Sequence, residues 1–235
     1  MNALIFKDEN EASLIPFAHP KAGHIRETLK AADGDFIYAG IAGGPLFKAR
    51  IETLPGGYRI SGERIPLPNP PALDAELFAA FTRPQIAKRI LFEAACFGVR
   101  RVVFYAATKG EAGYARSSLY SGSGPLECLI RGAEQACATS IPEFASAASL
   151  GEAVSMAQAS ALKIAPDPYE ATAPLSALIP APGPVAILFG GERGFSNPDR
   201  ELLREGGFTL ASMGPRILRT DSAIIAALAR CASAV

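Results

Sequence analysis

The stretch "PVAILFGGERGFSNPDRELLRE", Pro184 to Glu205, decides the fold class. Apolar residues run straight into Gly190 and Gly191, and the loop that follows sets Glu192 and Arg193 between glycines. Ser196 or Asn197 then stands where a helix is capped, Pro198 suits its first turn, and Gly206-Gly207 ends it. Strand, glycine loop and helix in succession form the unit of an α/β domain with a mostly parallel sheet. In such sheets ligands sit beyond the carboxyl ends of the strands.

The alternation continues outward in both directions. "ELFAAF", "RRVVFYAA", "SALKIAP" and "GFTLASM" read as strands, while "PQIAKRILFEAACFG", "PLECLIRGAEQACA" and "DSAIIAALARCASA" read as helices. The long polar loop "TKGEAGYARSSLYSGSG" interrupts them. Upstream the pattern is different. "ALIFK", "GDFIYAGI", "LFKARIETL" and "GYRISGERI" are short strands separated by Gly- and Pro-containing turns, as in a small barrel. Four prolines between Pro66 and Pro71 make a stiff connector. The expected division is therefore a β-barrel over 1–66, a linker over 67–73 and an α/β domain over 74–235.

Composition narrows the function. Lys plus Arg and Asp plus Glu both number 23 in 235 residues, so binding through a large excess of positive charge is excluded, though a local basic patch is not. The four cysteines form no CxxC pair and there are only two histidines, which argues against a metal site. No apolar run approaches a membrane span and the N-terminus lacks the order of a signal peptide, so a cytoplasmic protein is expected.

A second glycine-containing loop, "MGPRILRTDSA" from Met213 to Ala223, lies between the last strand and the last helix. Glycine lets backbone groups approach a ligand closely. Neither a P-loop nor an early GxGxxG is present. The first loop alone is equally a tight strand-to-helix turn. Arg216 and Arg219, flanking Ile217 and Leu218, shift the balance toward a site.

These two loops together resemble the RsmE-type branch of the SPOUT methyltransferases, which methylate N3 of a uridine in 16S ribosomal RNA. That family has a Gly-Pro-Glu-Gly-Gly-Phe-Ser-like loop followed by a Leu-Gly-x-Arg-Ile-Leu-Arg-x-Glu-Thr-Ala-like segment; here they read "FGGERGFS" and "MGPRILRTDSA". "HIRETLKAADGDFIYAG", "FEAACFGVRRVVFY" and "LIRGAEQACATSIPE" extend the likeness over most of the chain. The resemblance implies a PUA-like barrel for RNA, a SPOUT α/β domain with a trefoil knot, S-adenosylmethionine as cofactor, 16S rRNA or the small ribosomal subunit as partner, and a homodimer. For the last helix, an apolar face of Ile224, Ile225 and Leu228 serves either that dimer or the core. Gly191 departs from the family's usual proline, Arg193 from its glycine, and Asp221-Ser222 from Glu-Thr. "ACATSIPE" lacks the arginines common after the middle helix, and "TRPQ" lacks a lysine-rich pattern. These last differences leave another rRNA site, a tRNA or a non-catalytic RNA-binding role as alternatives.

The implied cofactor cradle is Leu188, Gly190, Glu192, Gly194, Met213, Gly214, Ile217, Leu218 and Thr220, with Tyr105 and Ala106 either closing it or forming a buried strand end. N3 of uridine must lose a proton to attack a methyl sulfonium, which calls for positioning, a proton acceptor and charge stabilisation. Arg219 is expected to stabilise charge on the uracil edge, and Glu192 or Asp221 to accept the proton, against structural roles in bracing the loop or facing a helix dipole. Phosphate contacts are expected from His24, Arg26, Lys30, Arg50, Lys109 and Arg216, against a reading of the first five as ordinary solvated residues.

Overall fold

The computed structural model describes residues 2–179 and 183–233; residues 1, 180–182 and 234–235, with the ends of the barrel, α/β domain and last-helix readings that fall on them, lie outside the described residues. The chain forms two compact units, Met1–Pro71 with Ile130–Ile141, and Ala72–Leu129 with Pro142–Val235.

The first unit opens with β1 (Ala3–Phe6), α1 (Glu9–Ser13), β2 (Ile15–Pro16) and α2 (Pro20–Gly23). A π-helical turn, His24–Leu29, leads to β3 (Phe36–Ile41), β4 (Leu46–Leu54) and β5 (Gly57–Leu67). These strands make one five-stranded sheet in the order β1-β3-β4-β5-β2, parallel only between β1 and β3. One face packs Leu4, Phe6, Ile25, Phe47 and Ile51, and a smaller cluster joins Ala3, Ile5 and Leu46 to Ile130. β1 is thus buried on both faces, which explains a run of apolar residues instead of alternation. The short helices replace a region read only as strands. Their signals are local: Asp8 accepts from the Glu11 N–H and His19 Nδ1 from the Lys21 N–H, with Pro20 in the first helical turn.

The 130–141 segment completes this unit, although its sequence reads as part of the α/β domain. Glu134 accepts from the Ile5 N–H at 3.2 Å and from Lys21 Nζ at 3.0 Å. Thr139 donates its hydroxyl to the Gly44 carbonyl and its N–H to Asn69 Oδ1.

The second unit contains β6 (Leu73–Ala80), α3 (Pro84–Cys96), β7 (Val99–Tyr105), α4 (Gly124–Ala136, its second half counted with the first unit), β8 (Glu143–Ala147), α5 (Leu150–Met156) and β9 (Leu162–Pro166). It continues through β10 (Ala173–Pro174), α6 (Leu175–Leu178), β11 (Val185–Phe189), α7 (Asn197–Glu205), β12 (Thr209–Ser212) and α8 (Thr220–Ala232). Its seven strands are all parallel, in the order β10-β12-β9-β11-β6-β7-β8. Helices cover the faces, so β11 is buried along its whole length. β8 and α5 were not expected from the alanine-rich sequence 143–156, yet Ser149 caps α5 by accepting the Glu152 N–H. After β12 the chain returns past β9 and β11, and α8 packs against α3 and β6. Among the described residues no helix is long and apolar enough to cross a membrane.

Two consequences position the site. The carboxyl ends of β12, β9 and β11 are neighbours, so three loops from distant sequence meet there. On the apolar face of α8, Ile224 and Leu228 are fully buried in the core, while Ile225 is partly exposed.

Candidate active site

Gly190 to Phe195 leaves β11 as a tight loop. A Cβ on Gly190 would lie 3.2 Å from the Gly194 backbone and 3.3 Å from the Phe195 ring, and Gly194 has φ +63°, so both positions favour glycine. The Gly194 N–H closes the turn onto the Gly191 carbonyl at 2.9 Å. Below it, the loop is held by a polar frame. Ser196 and Asp199 form a capping box at the start of α7, and Asp199 accepts from the Thr108 hydroxyl at 2.8 Å. Burial opposes the charge on Asp199, but the Ser196 and Thr108 hydrogen bonds and nearby Lys109 outweigh it and hold the carboxyl below its ordinary range. Lys109 Nζ donates to the Phe195 carbonyl at 3.2 Å.

The second loop follows β12. The Gly214 N–H donates to Ser212 Oγ at 3.1 Å, with φ of +108° at Gly214. Ile217 and Leu218 then stand 73% and 42% exposed, unusual for such side chains beside a concave surface. The third wall comes from Pro166 to Tyr169 after β9. Asp167 accepts from the Tyr169 and Glu170 N–H groups and, at 2.8 Å, from Arg200 Nε. Burial pushes against its ionisation, yet the Arg200 bond and those two N–H groups hold its carboxyl below the usual range.

Together the loops enclose an open cleft of about 210 Å³. Gly190, Glu192, Gly194, Met213, Gly214, Arg216, Ile217, Leu218 and Thr220 line it, as do Asp167 and Tyr169, which the sequence did not single out. Leu188 does not: it is buried in the core, and its neighbour Phe189 faces the cleft instead. Tyr105 lies beneath the glycine loop, while Ala106 is exposed.

A second cleft adjoins the first and shares Glu192, Ile217, Leu218 and Thr220 with it. Arg219 and Asp221 are on its wall, so the three residues expected to act in catalysis, Glu192 included, are brought together. Asp221 is buried and paired with Arg89 at 3.2 Å and with Arg219 at 3.6 Å; Glu192 is half-exposed, 3.7 Å from Arg83. Of the residues expected to meet phosphate, Arg26, Lys30 and Arg50 are exposed on the first unit. His24 Nε2 is buried there with no hydrogen-bond partner, and Lys109 is engaged under the glycine loop.

The fold is an α/β domain built on a parallel sheet, as in two solved structures. A Legionella pneumophila protein with bound SAM has a TM-score of 0.78 at 23% identity, covering 100% of this chain and 98% of the other. Ribosomal RNA small subunit methyltransferase E of Neisseria gonorrhoeae, bound to S-adenosyl methionine, has a TM-score of 0.79 at 18% identity, covering 97% and 95%. The chain belongs to the RNA methyltransferase domain family, whose model matches residues 69–232. Ribosomal RNA small subunit methyltransferase E of Treponema pallidum is 27% identical over 97% of this chain and 90% of its own. The likeness first carried by two loops thus extends over the whole chain.

Proposed function

We propose that this chain transfers a methyl group from S-adenosylmethionine to N3 of a uridine in 16S ribosomal RNA of the small subunit. The observation that carries this reading is the three-walled cleft, where glycine backbone and two exposed apolar side chains converge. Such a lining fits a nucleoside: backbone groups for its polar edge, Ile217 and Leu218 for its apolar face. Gly190, Glu192, Gly194, Met213, Gly214, Ile217, Leu218 and Thr220 would hold it, with Tyr169 at the mouth. When bound, S-adenosylmethionine supplies an electrophilic methyl on a sulfonium.

The chain's own residues do the rest from the adjoining cleft. Arg219, 76% exposed on its side chain, is free to bond the uracil edge as negative charge spreads there. Asp221 approaches Arg219 Nε and acts as a positioning residue. Glu192 lines both clefts and is the better placed proton acceptor, directly or through water. Arg216, at the rim, would meet the RNA backbone.

The first unit is read as the PUA-like RNA-binding barrel. Phe36 is exposed there beside two cations, Lys48 Nζ 4.9 Å and the Arg50 guanidinium 4.2 Å from its ring, an aromatic and basic pairing that suits RNA. The packing of α8, which follows β12, against α3 and β6 on the far side of β9 and β11 supports the knotted topology in the second unit. A homodimer acting in the cytoplasm completes the proposal. The test is transfer of labelled methyl from S-adenosylmethionine to small subunits from a strain lacking this gene, followed by nucleoside analysis. A 3-methyluridine product in 16S RNA is expected; label in tRNA or the large subunit alone would move the substrate, and no transfer to any RNA would overturn the enzyme reading.

A further inference from the structure

The second cleft gathers two helix N-termini and two arginines at its wall. Two helices begin there. α3 opens with Arg83 at its N-cap and α8 with Arg219, and neither side chain makes a capping hydrogen bond. An N-cap is ordinarily a short side chain whose oxygen accepts an orphan N–H, and positive charge is disfavoured at that end of a helix. Here both ends carry a guanidinium. Arg83 is 61% exposed on its side chain; its Nε is bonded to the Tyr114 hydroxyl at 3.1 Å, leaving its two Nη groups for a ligand. In the first turn of α3, Pro84 has no N–H and the Ile86 N–H is spent on the Arg83 carbonyl, so the Gln85 N–H is the donor that remains.

Thr82 points the same way independently. It lines this cleft, is only 4% exposed, and has both backbone groups engaged by Tyr120: its N–H donates to the phenolic oxygen at 3.3 Å and its carbonyl accepts from it at 3.0 Å. Its Oγ1 is buried with no partner. A buried hydroxyl in that state is costly and calls for an acceptor or donor that binding would bring. Two carboxylates on the wall, Glu192 at 3.7 Å from Arg83 and Asp221 at 3.6 Å from Arg219, balance its two arginines; Arg89, off the wall, also pairs with Asp221, so the two helix N-termini tip the potential toward positive.

We propose that this cleft holds the phosphate of the target nucleotide, with Arg83 as its guanidinium anchor and the Thr82 hydroxyl and Gln85 N–H as further donors. Because the cleft shares a wall with the cofactor cleft, a phosphate fixed at Arg83 leaves its own base beside Arg219 and Glu192. The assignment rests on the reading of the chain as an RNA-modifying enzyme.

The test is a titration of the intact protein with uridine 5′-monophosphate, uridine and inorganic phosphate, followed by calorimetry or chemical shifts. The wild type should bind the monophosphate about tenfold more tightly than the nucleoside, as one charge-assisted contact would give. Arg83→Gln should erase that preference, Arg83→Lys should keep part of it, and Thr82→Val should reduce it. The cofactor-induced shift in melting temperature should be unchanged in all three, showing an intact neighbouring cleft. Equal binding of nucleotide and nucleoside by the wild type, or a preference that survives Arg83→Gln, would overturn the proposal. Inorganic phosphate competing as well as the nucleotide would also overturn it, marking a free-anion site. Methyl transfer is scored separately, so failure on 16S RNA would strike the substrate reading and leave the phosphate result standing.

Discussion

The Tyr105 hydroxyl donates to the Phe189 carbonyl at 2.9 Å, deep in the second unit, and ties the end of β7 to the end of β11 across β6. Burial drives this phenol far above its ordinary titration range, so it remains a donor at every working pH. The glycine loop therefore starts from a fixed point.

Tyr105→Phe keeps the ring and removes that bond. It should cost about 1–3 kcal/mol, the penalty of a buried acceptor losing its partner, and weaken cofactor binding in parallel. Urea unfolding and a cofactor titration measure the two effects; an unchanged midpoint would mean the bond contributes nothing.

Arg219→Ala should lower methyl transfer by about 10²–10³-fold, as loss of a charge-stabilising donor does. Its side chain is largely exposed, so stability should shift by no more than about 0.5 kcal/mol. Single-turnover assays beside thermal melts check both. Activity within a few-fold of wild type would remove Arg219 from the mechanism.

Asp167 and Arg200 are both almost wholly buried, and removing one partner leaves the other charge poorly compensated. Asp167→Asn should destabilise by about 3 kcal/mol at neutral pH. The folded carboxyl titrates below its unfolded value near 3.8, so its contribution is complete above that value and fades as pH falls through the folded pKa. Asp199 adds in the same sense. The variant should accordingly show a flatter acid limb, and its deficit should shrink below about pH 4. A deficit that stays constant down to pH 2 would contradict the linkage.

Gly194→Ala and Gly214→Ala separate strain from crowding. An added Cβ meets nothing within 4 Å at either site, so the whole cost is backbone strain. Gly194 at φ +63° should lose about 1–2 kcal/mol. Gly214 at φ +108° lies further from any conformation alanine accepts and should lose more, of order 2–3 kcal/mol. Denaturation midpoints rank them, and the reverse order would show that the second loop relaxes.

Much of this site could be read from residues close together in sequence. The glycine loops, the caps around Ser196 and the arginines beside Ile217 and Leu218 are local signals. Phe189 and not Leu188 lines the cleft, and a strand buried on both faces has no alternation to reveal which side chains reach its open end. The Asp167–Arg200 pair joins residues 33 apart, and neither sits in a pattern that names the other. Lys109 looked like a free cation in a polar loop; only the fold brings it to the Phe195 carbonyl. Ser149 with Glu152 did carry a capping signature for α5, which the run of alanines obscured.

The contribution of Ile130–Ile141 to the first unit also bears on how the protein is made. Synthesis delivers residues 1–71 to solution first, with Gly44, Asn69, Lys21 and the Ile5 amide still lacking the Thr139 and Glu134 groups that satisfy them. A nascent chain arrested before Ile130 emerges should hold its N-terminal sheet in a loose, protease-sensitive state. The ribosome must release some sixty further residues, the span from Pro71 to Ile130, before that sheet can close. The N-terminal sheet is the earliest part made, yet it waits for a later stretch of its own unit to mature.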